Sequence, residues 1–355
     1  MKKMKKLLSI LLALTLLFAL AACNTTGENT EGNEGTENNE NVENNGETST
    51  AEFSIGVIQL ASHTALDAAR EGFVAGLDEA GLSYEIEVLN AAGEQANCPT
   101  LATKLVNDQV DLILAIATPA AQAAAQATDT IPILVTAVTD PAYAGLVESN
   151  DAPGGNVSGT SDMNPVEDQI ELLLTLAPET KTVGLLYSNS EANSTTPIAE
   201  AKAYHAGEDN SILQANLAEE ILTAKNIAVE HFTASDSSQV QSVAQSMVGK
   251  VDAVYIPTDN LMADTMATIS MVLTPEGIPT ICGEGNMVNN GCLATYGFSY
   301  EELGRQTAAQ AVSILKDGAD ISTMPIGFYE GELELIVNDE VAAELGIEIP
   351  ADLMQ

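Results

Sequence analysis

The residues of this chain that could do chemistry sit in short polar breaks that follow apolar runs. Two such breaks fall close together within 111–146, DLILAIATPAAQAAAQATDTIPILVTAVTDPAYAGL. In the first, Pro119 suits a first helical position, where a missing N–H costs nothing, and Thr118 before it suits a cap. In the second, Thr139-Asp140-Pro141 repeats the pattern of cap, then proline. Unpaired N–H groups at a helix start suit a carboxylate, and Asp140 suits a cation. Together they could hold a zwitterion such as an α-amino acid by both charged ends. The plainer reading is that Thr-Pro and Asp-Pro are simply good helix starts. Their repetition at equivalent positions favours a binding rim.

A rim needs strands to end on it. Residues 112–117 and 131–138 are apolar runs of buried-strand length. They belong to a longer alternation, with strands expected at 54–60, 84–89, 156–161, 182–187, 227–232, 253–256, 279–282, 293–298 and 332–337. Helical patterns lie between them at 65–81, 98–109, 119–127, 166–177, 237–248, 261–273 and 300–316, with a long tract in 197–225 and a further helix starting after Pro141. Strands alternating with helices at this spacing predict an α/β fold with parallel sheets. Tyr187-Ser188-Asn189 and Pro257-Thr258-Asp259-Asn260 punctuate strand ends in the second half as Thr118-Pro119 and Thr139-Asp140 do in the first. Two rims facing each other make a cleft, where open α/β sheets bind ligands.

The chain begins with Lys2, Lys3, Lys5 and Lys6, an apolar run over 7–20, and Leu20-Ala21-Ala22-Cys23. That order of charge, apolar run and small residues is a targeting signal. It resembles the bacterial lipoprotein signal, which implies cleavage before Cys23 and lipidation of that residue, with two acyl chains holding the protein stably at a membrane. Residues 24–52 follow, with eight glutamates, no lysine or arginine and almost no apolar side chain. Such a tract buries too little surface to offset chain entropy and reads as a disordered tether. The whole chain carries 12 Lys+Arg against 51 Asp+Glu, a net charge of −39. Acidity of this degree argues against nucleic acid as a partner. The remaining roughly 300 residues suffice for two domains with their own cores.

Six segments carry a resemblance in one order along 53–353. They are AIATPAAQAA (115–124), PILVTAVTDP (132–141), PGGNVSGTSD (153–162), LLYSNSEANS (185–194), VDAVYIPTDN (251–260) and ELGRQTA (302–308). They resemble the substrate-binding lipoproteins of ABC transporters, in the tryptophan/tyrosine-binding group. The resemblance implies a type I periplasmic-binding-protein architecture, with two Rossmann-like lobes and the ligand in the cleft between them. By that analogy lobe one comprises 53–163 and 297–320, and lobe two 164–296 and 321–355. It also implies ligand contacts at His63, at Thr118, Pro119, Ala120 and Gln122, at Asp140, at Glu191 and Asn193, at Thr258, Asp259 and Asn260, and at Glu284. The implied partners are a small-molecule ligand, an aromatic amino acid by preference, and an ABC permease with its ATPase. A monomer on the extracytoplasmic face of the cell membrane is expected. The sequence departs from the family at Ser62 and Thr64, which flank the histidine, and at Gly285, where a second glutamate is usual. Residues 204–218 look like an insertion and are expected away from the cleft.

Other chemistries find little support. Cys98, Cys282 and Cys292 lack zinc spacing, and the three histidines are scattered, so no metal and no cofactor are expected. A Cys282–Cys292 disulfide and two buried thiols both remain open. The chain holds no nucleophile elbow, P-loop or HExxH. Solute capture for an importer therefore leads. The alternatives are a lipoprotein receptor presenting a branched-chain amino acid or other small ligand to a sensor, and an enzyme using the same cleft.

Overall fold

The computed structural model describes residues 51–189, 210–351 and 353. The signal, Cys23, the tether up to residue 50, Glu191, Asn193 and His205 lie outside the described residues. The order is β1 (Phe53–Gln59), α1 (Thr64–Glu79), β2 (Tyr84–Asn90), α2 (Cys98–Asp108), β3 (Leu112–Ile116), α3 (Thr118–Ala127), β4 (Ile133–Val138) and β5 (Val157–Ser161). It continues with α4 (Val166–Leu176), β6 (Thr182–Ser188), α5 (Asn210–Ala224), β7 (Ala228–Ala234), α6 (Ser237–Met247), β8 (Ala253–Ile256), α7 (Asn260–Leu273), β9 (Thr280–Cys282), α8 (Gly285–Asn289) and β10 (Ala294–Gly297). Last come α9 (Tyr300–Leu315), β11 (Gly327–Phe328), β12 (Glu334–Val337) and α10 (Asp339–Leu345). No helix among the described residues is long and apolar enough to cross a membrane.

Two six-stranded sheets result, ordered β11-β5-β4-β3-β1-β2 and β12-β10-β9-β8-β6-β7. Each contains the doubly wound order in which the second strand lies outside the first and the third on its other side. Each strand's apolar run explains its place: β3 and β4 are buried along their whole length, whereas edge strand β2 alternates. Among the described residues only β12 runs antiparallel to its neighbour, an exception to the expected parallel sheets. Ligand crevices in such sheets lie beyond the carboxyl ends of the strands, where the order reverses. Here that means the loops after β1 and β3 in one sheet and after β6 and β8 in the other.

Each sheet has its own core. Ile55, Val57, Leu114 and Val135 of the first pack with Phe73 and Leu77 of α1 and Leu105 of α2. Leu185 and Tyr255 of the second face α4 and α5, while Leu186 and Ile256 face α6 and α7. The chain passes from the first sheet to the second after β5, returns after β10 into α9, and leaves again after β11. The expected lobe boundary at 320 falls too early. Gly327 and Phe328 pair with Thr160 and Ser161 of β5, so the chain stays with the first sheet until β11 ends.

Helices α1 and α9 approach closely because Gly72 and Gly304 carry no Cβ; one on Gly304 would overlap the Ala69 carbonyl. Gly304→Ala is therefore expected to force the helices apart and cost about 1–3 kcal/mol, read as a lower urea midpoint at unchanged slope. An unshifted midpoint would show that the helices yield freely. The cysteines settle as buried thiols: Cys282 and Cys292 are free, and the Cys292 thiol donates to the Thr280 carbonyl at 3.2 Å. The helix expected after Pro141 does not form. The chain turns there instead, and Asp140 closes the turn by accepting N–H bonds from Ala142 and Tyr143.

Candidate ligand site between the two sheets

A cavity of about 30 Å3 lies between the carboxyl ends of the two sheets. Five of the expected residues line it: His63 after β1, Thr118 at the start of α3, Thr258 and Asn260 after β8, and Glu284 before α8. A larger space of about 470 Å3 adjoins it and shares Thr118 and Asn260, with Pro119 and Asp264 also on its wall. The two sides touch directly. His63 Nε2 lies 3.2 Å from Asn260 Oδ1, and Gln214 Nε2 of α5 donates to Thr139 Oγ1 at 3.3 Å. Gln214 Oε1 also accepts from the Thr258 N–H at 2.9 Å. Gln214 belongs to the stretch expected away from the cleft. Its described part instead reaches it, because α5 buries Gln214 against the end of β8.

Two carboxylates give the cavity its character. Asp162 follows β5, in the first passage between sheets, and is 2 % exposed; Glu284 caps α8 and is 4 % exposed. One oxygen of each is held: Tyr300 donates its hydroxyl to Asp162 Oδ2 at 2.8 Å, and the Asn286 N–H donates to Glu284 Oε2 at 2.8 Å. The other oxygens, Asp162 Oδ1 and Glu284 Oε1, accept no hydrogen bond from the described residues, and neither does His63 Nδ1. Three orphaned polar atoms on the wall of one cavity are costly unless something completes them. Burial lifts the Glu284 carboxyl to about 7, against the N–H groups of Asn286 and Met287, with the charge of Asp162 adding to the rise. Burial likewise raises Asp162, opposed by the Tyr300 and Thr139 hydroxyls. A cation between them would relieve both.

The apolar part of the wall comes from Ala65 and Leu66 of α1, Ala137 of β4 and Ala263 of α7. It does not come from Ala120, which is buried in the first core. The backbone is strained where it meets the cavity: Ala117 has φ 79° and Ala137 has φ 54°. Side-chain-bearing residues rarely adopt such angles, and they persist where surrounding packing imposes them. Ala137 falls at the bulge where β4 and β5 lose register. The same distortion makes Ala117, and not Thr118, the N-cap of α3.

Three expected contacts are engaged elsewhere. Asp140 Oδ1 also accepts from Asn150 Nδ2 at 2.8 Å and does not line the cavity. Asp259 caps α7 through the Met262 N–H and takes the Ser188 N–H at 2.6 Å. Gln122 donates to the Ala144 carbonyl. Thr139, part of the second polar break, lines the cavity, and so do Asp162 and Tyr300, which were not singled out. For Asp162 the signal was present: Ser161-Asp162 is a polar break after a strand, like those of β3 and β8. Nothing local marks Tyr300, which reaches Asp162 across 138 positions.

Comparison with known proteins agrees with the fold. The family model of ABC transporter substrate binding proteins matches residues 54–206 and 201–355. A tyrosine-binding protein of Clostridioides difficile (strain R20291) is 36 % identical over 304 residues, which span 84 % of this chain and 83 % of the relative. A Streptococcus pneumonia ABC domain in complex with L-Trp superposes with TM-score 0.77 at 34 % identity, over 85 % of this chain and 97 % of that one. The ligand-free, open form of a Clostridium difficile substrate binding protein with adhesive properties gives TM-score 0.64 at 39 % identity, over 84 % and 97 %.

Proposed function

The chain belongs to the family of ABC transporter substrate binding proteins, and we propose that it captures an aromatic amino acid outside the cytoplasm for import. The observation that carries this reading is the pair of orphaned carboxylate oxygens, Asp162 Oδ1 and Glu284 Oε1, in one cavity. An α-ammonium group supplies the donors they lack, and its charge suits both. The ligand carboxylate is assigned to the α3 start at Thr118, since a helix start is the kind of place that suits an anion, and to the neighbouring Thr258 and Asn260. Aromatic preference follows from what the relatives bind, tyrosine and L-Trp by their descriptions. Ala65, Leu66 and Ala263 supply an apolar surface for a ring.

A cavity of about 30 Å3 admits water but no amino acid. Capture therefore requires the lobes to part and close again, the hinge motion for which periplasmic binding proteins are the type case. A ligand drives closure only by its differential affinity for the closed form, which a group gripped by Asp162 on one side and Glu284 on the other has. The proposal includes lipidation at Cys23, a monomeric protein, and delivery to a permease with its ATPase.

Calorimetry across the amino acids, on protein unfolded and refolded to strip carried-over ligand, tests the reading. Tyrosine or tryptophan is expected to bind, and Asp140→Asn to retain wild-type affinity because Asp140 serves its own turn. Binding of a sugar and of no amino acid would overturn the proposal.

A further inference from the structure

Charge recognition in the cavity is one-sided. Asp162 and Glu284 approach from different sheets, both nearly without exposure, each with one oxygen fixed by an internal donor and one oxygen left over. An ammonium group has three N–H donors, enough for both free oxygens at once. At the other end of the same space the described lining offers Thr118, Thr258 and Asn260, all uncharged, with the His63 imidazole beside Asn260, and no lysine or arginine. A carboxylate brought in with the ammonium therefore meets dipoles and one imidazole but no lysine or arginine, inside a cavity that already holds two acidic groups. Like charges in a dry site repel strongly. The long-range field acts in the same direction, since a chain of net charge −39 attracts cations and leaves zwitterions unsteered.

We propose that the ligand class of this cleft is set by the ammonium group, so that primary arylalkyl amines, lacking the carboxylate, are captured as well as the amino acids. The inference rests on the amino-acid reading for its aromatic part, and on the paired orphan oxygens for its charged part. A deaminated analogue, which keeps ring and carboxylate but lacks the ammonium, leaves both oxygens without a donor and adds a third negative charge.

The test uses the full chain without its signal, stripped of ligand, and four probes in calorimetry: tyrosine, tyramine, tryptamine and 3-(4-hydroxyphenyl)propionate. Tyramine is expected to bind within a hundredfold of tyrosine, and the propionate to show no binding at millimolar concentration. Asp162→Asn is expected to weaken tyramine at least as much as tyrosine, since the amine has no other charged contact. Tyrosine binding with tyramine more than a hundredfold weaker would overturn the inference and leave the amino-acid reading standing. Tyramine binding without any amino acid would support the inference and remove that reading. Binding of neither, or binding of the propionate, would overturn the inference.

Discussion

Asp162→Asn is expected to weaken binding of the amino-acid ligand by about 2–5 kcal/mol, a loss of roughly 30-fold to several thousand-fold. The substitution keeps the shape and an oxygen to accept from the Tyr300 hydroxyl, so packing is little disturbed. What it removes is the charge that a buried ammonium would face, beside Glu284. Removing one member of a desolvated pair leaves the other charge uncompensated, which is why the effect exceeds that of any surface ion pair. Titration calorimetry at neutral pH measures it. Affinity within threefold of wild type would take Asp162 out of the site and move the ammonium elsewhere.

The second large effect is on the empty protein. In the shut cleft the Glu284 carboxyl sits at about 7, against 4.5 for an ordinary glutamate. The open lobes return it to water and to the ordinary value. A carboxyl whose value is raised in one state makes that state bind more protons, so the shut form gains stability as pH falls. The gain is complete below about 4.5 and lost as pH rises through about 7. A shift of roughly 2.5 units corresponds to about 3 kcal/mol, or about 300-fold in the ratio of shut to open forms. Asp162 is raised by burial too and acts in the same direction. Scattering of ligand-free protein should therefore show a smaller radius of gyration at pH 5 than at pH 8.5. Glu284→Gln should reduce that dependence and favour the shut form at high pH, because its neutral amide needs no proton. A radius that ignores pH in the wild type would sink the argument.

Much of this architecture is legible before any coordinates are seen, because it rests on local signals that agree. Apolar runs such as Leu112–Ile116 and Ile133–Val138 have only one stable place, the middle of a parallel sheet. The strand-end rule then leads to Thr118, Thr258 and Asn260 on the cavity wall. What local pattern cannot supply is competition between partners. Asp140-Pro141 looks like a helix start, yet Asn150, ten positions on, and the turn N–H groups take its carboxylate. Asp259 is likewise absorbed by Ser188, on another strand of its own sheet. The residues that replace them in the cavity owe their roles to distant contacts. Asp162 is aimed by Tyr300, and Gln214 reaches Thr139 from another lobe. The short β11 escapes notice because two residues carry no periodicity, and its pairing with β5 is a consequence of chain path.

The bonds between His63 and Asn260 and between Gln214 and Thr139 join the two sides of the cleft. Bonds that must break before the cleft can open change how capture depends on time. Solute reaches its seat only while those bonds are broken, so encounter is gated, and the capture rate levels off at the opening rate however concentrated the solute becomes. The apparent affinity is likewise reduced by the fraction of molecules that stand open. In exchange, the same gate slows escape. A binding protein of this kind suits a scarce solute that must be held for long once caught, and acid conditions, by favouring the shut form, would lengthen the wait at the entrance.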